Sequence, residues 1–198
     1  EPIDVDARET FEIPGDAFVL GIVARMQRHR LFEVLLEAVR QAAAEHPQLR
    51  LVIVGRGTHQ QTVAKDPVKA MGLEDRVHFA GYVSGDDYVR AIKAFNMKVF
   101  MMPGSDGTCR AVREAMAMGK PAIVNRIGML PELIEDGVTG YVFGGTVDSL
   151  RAAIGKAVAD PEGVRRMGEA AKAIARREFS LDVQAKRIAA IYDRVLSE

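Results

Sequence analysis

The sequence predicts an α/β fold built on a doubly wound, mostly parallel sheet of about six strands, with helices on both faces and a helical C-terminus. Three observations carry that prediction. From Phe18 onward, short aliphatic runs alternate with stretches of helical period, the pattern that right-handed β-α-β crossovers produce. The runs LVIVG and KVFMMP read as apolar throughout rather than alternating, as expected of strands buried on both faces. The residues that could do chemistry fall just after these runs, at the sheet edge where such folds bind ligands.

In chain order, residues 1–17 are acidic, hold two prolines and lack a sustained period, so they read as a linker or edge segment. Strands are expected at Phe18 to Ala24, Leu49 to Gly55, Val77 to Phe79, Met97 to Met102, Ala122 to Asn125 and Tyr141 to Phe143. Helices are expected between them at Leu31 to Glu45, Gln60 to Met71, Asp86 to Ala94, Thr108 to Met118 and Leu130 to Asp136. After Val147 the strands cease and three helices follow, at about Val147 to Ala159, Pro161 to Arg177 and Asp182 to Leu196. Pro161 suits a first helical position, and Ser180 or Asp182 suits a cap for the last helix. The expected division is a linker at 1–17, a Rossmann-like domain at 18–180 and a C-terminal helix at 181–198.

At 198 residues and 48% hydrophobic, the chain can bury a full core. Its 27 basic and 27 acidic residues cancel, so no global field draws in nucleic acid or anionic lipid, and any anion site must be local. The single cysteine, Cys109, excludes an intrachain disulfide and points to a reducing, cytoplasmic compartment. His29, His46, His59 and His78 are scattered without metal-ligand spacing, so no metal site is expected. The apolar runs are strand-length, far short of a membrane span.

The stretch DGTCRAVREAMAMGKP follows the fourth strand and opens a helix, where free backbone N–H groups attract phosphate. Asp106 or Thr108 there is equally read as an ordinary N-cap. Glu114 is more telling: at 100° per residue it lies at the edge of the helix's apolar face, so it either pairs within the protein or lines a cleft. With Asp106 it makes an acid-x7-acid pair able to accept from sugar or ribose hydroxyls. After the first strand, Arg25, Arg28, His29 and Arg30 gather at the same sheet edge, as phosphate-binding forks or as a solvated basic turn. Gly55-Arg56-Gly57 marks a tight turn or a close approach to a ligand. Cys109 sits beside Arg110 in the first turn, but no local histidine could act as its base, so small-residue packing is its expected role.

Taken together, these segments resemble the C-terminal, donor-binding half of retaining family-4 glycosyltransferases, two-domain enzymes of the GT-B fold. The similar stretches run from about Ile3 to Leu196, and DGTCRAVREAMAMGKPAIVNRIGMLPELIEDGVTGYVF carries the likeness in both order and spacing. The stretch IDVDARETFEIP looks like the family's interdomain segment. The resemblance implies that Arg25 and Arg30 clamp the donor diphosphate together with the amides of Gly107, Thr108 and Cys109. It implies that Glu114 accepts from the ribose, that Asp106 meets the transferred sugar as the catalytic carboxylate, and that Gly81, Tyr82 and Val83 lie near the base. Three positions depart from the family pattern: Arg30 stands for the usual lysine, Asp106 for the usual glutamate, and Thr108-Cys109 for the common aromatic-glycine. The shorter carboxylate of Asp106 draws its oxygens back by about 1.5 Å, which bears on which sugar fits.

Further expectations follow from the same resemblance. Neither a cofactor nor a divalent metal is expected; the cations and the helix end would stabilise charge on the departing nucleoside diphosphate, with retention at the anomeric carbon. The partners would be a nucleotide-sugar donor and an N-terminal Rossmann-like domain of the same polypeptide that carries the acceptor site. Any association with the inner face of a membrane would run through that domain. Without it the chain is expected to bind donor weakly and turn over nothing, and the C-terminal helix is expected to reach toward it. Rival readings are a GT-B phosphorylase, a sugar-nucleotide epimerase, or a non-catalytic nucleotide-sugar-binding module. A phosphoacceptor receiver domain is excluded, since Val23-Ala24-Arg25 stands where its acidic pocket should follow the first strand.

Overall fold

The computed structural model describes residues 6–102 and 109–197. Six strands form one sheet: β1 Phe18–Val23, β2 Leu49–Val54, β3 Val77–Gly81, β4 Met97–Phe100, β5 Ala122–Asn125 and β6 Gly140–Phe143. Their order is β3-β2-β1-β4-β5-β6 and every pairing is parallel. The chain therefore winds outward in one direction from β1, returns, and continues from β4 on the other side. Between β1 and β4 the winding reverses, which opens a crevice at the strands' carboxyl ends.

The described residues also form eight α-helices: α1 Phe32–Glu45, α2 Asp66–Ala70, α3 Gly85–Lys93, α4 Arg110–Ala117, α5 Leu130–Leu133, α6 Val147–Ala159, α7 Pro161–Phe179 and α8 Leu181–Leu196, of which α8 packs on α7 rather than on the sheet. Alternate strand residues point to opposite faces. Leu20, Ile22, Leu51, Ile53, Met97 and Val99 meet α1, α2 and α6 on one face. Val19, Val52, Val54, Phe100 and Val124 meet α3, α4 and α5 on the other. That two-sided burial is why the strands read as continuous rather than alternating runs.

The observed elements sit close to the expected ones, with local differences that have physical causes. Gln60 to Met71, expected as one helix, begins as a π-helical turn over Gln61–Lys65 before α2 tightens at Asp66-Pro67. The expected α4 start at Thr108 lies outside the described residues; α4 as described runs from Arg110, with Cys109 in the left-handed region (φ 50°) at the N-cap and without a side-chain cap bond. Ser180, rather than Asp182, caps α8, accepting from the Val183 amide at 3.4 Å. Pro161 is at the expected first turn of α7, with Asp160 accepting from the Gly163 amide at 2.8 Å.

Residues 6–17 form neither strand nor helix, yet they are laid firmly on the sheet's lower edge. Ala7, Phe11 and Ala17 are buried. Arg8 donates to the carbonyls of Ala94 and Ala17, both at 3.2 Å, and to Asn96 Oδ1 at 2.7 Å, while that oxygen also accepts from the Val19 amide.

Candidate functional site

The crevice beyond β1 and β4 is an open cleft of about 1440 Å³. Its walls come from the loops after β1, β2 and β3, from α3, and from the start of α4. Arg25 and Arg30 both line it from the loop after β1. Arg25 is exposed, whereas Arg30 is half-buried and donates to the Met102 carbonyl at 3.1 Å, tying the β1 exit loop to the β4 exit loop across the winding reversal. His29 also lines the cleft, so three of the four residues of the basic cluster meet there, while Arg28 is exposed and is not among the lining residues.

Glu114 lines the same cleft from the second turn of α4 and is about one-third exposed. It both faces the cleft and pairs within the protein. The Tyr88 hydroxyl, from α3, donates to Oε2 at 2.5 Å, and Arg110 Nε stands 3.3 Å from Oε1. Burial and this hydrogen bond push the Tyr88 phenol above its ordinary range, so it stays a donor at any physiological pH. Each carboxylate oxygen keeps a second lone pair for a ligand hydroxyl. The cleft therefore brings together two guanidinium groups and a carboxylate held in place by Tyr88 and Arg110.

Cys109 lines the cleft but is buried, consistent with packing rather than with an exposed nucleophile. Asp106, Gly107 and Thr108 lie outside the described residues. The expected base-proximal residues divide. Tyr82 and Val83 line the cleft, while Gly81 sits at the end of β3, where its carbonyl accepts from the Gly55 amide at 2.7 Å and ties the β2 exit to β3.

Gly55 and Gly57 resolve the ambiguity of the G-x-G turn. A Cβ on Gly55 would fall 2.2 Å from the Ala24 carbonyl oxygen, and one on Gly57 2.2 Å from that of Met26. Both glycines are demanded by close packing of the β2 exit loop on the β1 exit loop, the structural alternative.

Two residues, Tyr88 and Lys98, were not singled out from the sequence, and Arg56 was noted there only as the middle of the G-x-G turn. Arg56, between those glycines, lies over the Tyr82 ring at 5.1 Å, a cation–π pair on the cleft wall. Tyr88 is the aromatic residue in an otherwise polar first half of α3. Lys98, inside the run KVFMMP, has its side chain fully buried beneath the cleft, which corrects the reading of that run as apolar throughout; a lysine within a two-sided strand was the signal. Among the described residues no group of three or more metal-ligating side chains gathers, and no helix is long and apolar enough to cross a membrane.

With that geometry in view, the comparisons with known proteins agree in kind. The model of the family described as glycosyl transferases group 1 matches residues 5–174. The chain is 31% identical over 205 residues to a D-inositol 3-phosphate glycosyltransferase of Streptomyces griseus, covering 97% of this chain and 42% of that protein. It is 30% identical over 177 residues to a GDP-mannose-dependent alpha-(1-6)-phosphatidylinositol monomannoside mannosyltransferase of Mycolicibacterium smegmatis, covering 85% of this chain and 44% of that one. It superposes on HepE of Anabaena, solved in complex with UDP, with a TM-score of 0.84 at 25% identity, over 94% of this chain and 51% of the other. The chain thus spans about half the length of the relatives it matches, or somewhat less.

Proposed function

The chain belongs to the group 1 glycosyl transferases, and from that premise we propose that it is the donor-binding, C-terminal half of a retaining, family-4 enzyme of the GT-B fold. One observation carries the reading: Arg25, Arg30 and Glu114 line one crevice at the winding reversal, cationic forks suited to phosphate beside a carboxylate able to accept from hydroxyls. In this reading a nucleoside diphosphate lies across the crevice with its phosphates on the arginines, its ribose on Glu114 and its base toward Tyr82 and Val83.

The guanidinium groups, fixed before the reaction, stabilise charge that grows on the departing diphosphate and lower the barrier without a metal ion. Asp106 meets the sugar as it is transferred with retention, through an oxocarbenium-like state. The acceptor is bound by a domain preceding this one in the full enzyme, which works in the cytoplasm. Towards that domain reaches α8, with Leu181, Ile188, Ile191, Tyr192 and Val195 exposed on it. UDP in HepE and GDP-mannose in the mycobacterial relative support a nucleotide-sugar donor without choosing its base.

Ligand-detected NMR of the chain against UDP, GDP and ADP, and against their glucose and mannose derivatives, tests this. Half a cleft is expected to hold its ligand at about millimolar affinity. Selective contact with one nucleoside diphosphate, unchanged by EDTA and lost in Glu114→Ala, is the expected result. Contact that persists undiminished in Glu114→Ala would overturn the ribose assignment, and loss of contact in EDTA would overturn metal independence.

A further inference from the structure

Tyr88 stands near the start of α3, in the segment GDDYVRAIK, where its neighbours Asp86 and Asp87 are exposed. Its ring is partly buried and packs against the cluster that holds Ala91 and Ile92 of α3 and Ala115 of α4. Its hydroxyl donates to Glu114 Oε2 at 2.5 Å, and both residues line the cleft. The packing of the ring fixes where the hydroxyl stands, since a tyrosine has only two side-chain torsions. A short bond from a hydroxyl to a carboxylate oxygen is of the charge-assisted, stronger kind.

Glu114 needs such a tether. Its side chain has three torsions, is one-third exposed, and projects from α4 into an open cleft. Its other partner, Arg110, is 82% exposed, so solvent and salt screen the attraction between them. Tyr88 is therefore the firmer of the two tethers, and it sets which lone pairs of the carboxylate stay open. Oε2 uses one on Tyr88 and Oε1 faces Arg110, which leaves the second lone pair of each oxygen for two neighbouring hydroxyls. A cis-diol matches that pair of acceptors, whereas a single hydroxyl meets only one of them.

We propose that Tyr88 is a positioning residue that sets sugar specificity: by fixing the Glu114 carboxylate it makes the site read both hydroxyls of a ribose and discriminate against 2′-deoxyribose. This rests on the reading of Glu114 as the ribose acceptor. A carboxylate already held in place loses little freedom when the diol arrives, so both hydrogen bonds add to affinity. With the tether gone, the carboxylate spreads over several rotamers and follows whichever hydroxyl is present, and the two sugars become harder to tell apart. On a partly exposed carboxylate each such bond is worth several-fold in affinity, far less than in a dry site. Tyr88 also closes a run of cleft-lining residues that begins at Tyr82 and Val83. The same hydrogen bond thus ties the segment read as meeting the base to the helix read as meeting the ribose.

The test titrates the 198-residue chain by NMR with UDP, GDP and ADP and with their 2′-deoxy counterparts, as wild type, Tyr88→Phe, Glu114→Gln and the double variant. Wild type is expected to hold the ribonucleotide that binds about fivefold more tightly than its deoxy form. In Tyr88→Phe that preference is expected to shrink to about twofold or less, through a loss on the ribonucleotide and little change on the deoxy form. In the Glu114→Gln background, Tyr88→Phe is expected to change affinity by no more than about 1.5-fold, since the carboxylate it acts through is gone. A preference that survives Tyr88→Phe would overturn the proposal. So would an equal loss on both sugars, which is what a purely structural role of the tyrosine gives. Wild type that binds ribonucleotide and deoxynucleotide alike would instead overturn the ribose assignment of Glu114, and absence of any nucleotide contact would overturn the donor-site reading, each taking this proposal with it.

Discussion

A Cβ placed on Gly57 would stand 2.2 Å from a backbone oxygen, and no rotamer change relieves a contact with backbone. Gly57→Ala must instead displace the β1 exit loop, which carries both Arg25 and Arg30. Urea unfolding is expected to show a loss of about 2 kcal/mol or more. Nucleotide contact should weaken as well, although no ligand-facing atom is removed. Preserved binding alongside lost stability would mean that the arginines tolerate the shift. Two further residues hold unusual conformations beside the cleft. Leu31 (φ 55°) and Cys109 (φ 50°) take the left-handed region just before α1 and α4, the two helices that open on the crevice. Each such residue costs about 1 kcal/mol or more in backbone strain, which the packing around it must offset.

Among the elements, how much could be read from the sequence followed how much each depended on local pattern. The six strands announced themselves through aliphatic runs bounded by turn residues, and their ends moved by a few residues at most. The doubly wound order was implied by β-α alternation, since right-handed crossovers leave few alternatives. Glu114's place on the cleft wall was readable from its helical phase, and Arg25's from its emergence out of a buried run. Tyr88 could not be paired with Glu114 in advance, because α3 and α4 meet only through the tertiary fold. The π-helical turn before α2 likewise leaves no mark in a periodicity sampled over so few residues. The C-terminal helix shows the same limit in reverse: α8 carries an apolar stripe at helical spacing, yet none of its described residues is buried. Replacing Ile188 and Ile191 together by serine is therefore expected to shift unfolding by no more than about 0.5 kcal/mol. Ile154→Ala in α6, whose side chain is fully buried, is expected to cost about 2–4 kcal/mol. Comparable losses in the two variants would show that α8 is packed in solution.

For the molecule as a whole, formal charge balances near neutrality, so pH acts on stability through a few buried groups rather than through net repulsion. Burial pushes Lys98 down to about 7 and Lys120 down to about 8, both from an ordinary lysine value of 10.5. Across the interval between these values the unfolded chain binds more protons than the folded one, so stability rises with pH. Above the ordinary lysine value of 10.5 the sign reverses. The Tyr88 phenol is held above its ordinary value by burial and by Glu114, so the unfolded chain gives up its proton first and stability declines. On the acid side His78, stacked on Phe11 at 4.8 Å, is lowered chiefly by burial, so stability falls as pH drops below its ordinary value of 6.5. The exposed Glu37, held at about 2 by Arg40, adds little because solvent screens the pair. Stability is thus expected to peak near pH 10, with a rise from pH 7 on the order of 3–5 kcal/mol, most of it from Lys98. Lys98→Met should raise stability at neutral pH and flatten that rise, because the buried amine no longer has to shed its proton on folding. Guanidinium unfolding at pH 7 and pH 10 measures both effects. A rise of equal size in wild type and Lys98→Met would show that Lys98 reaches water in the folded chain.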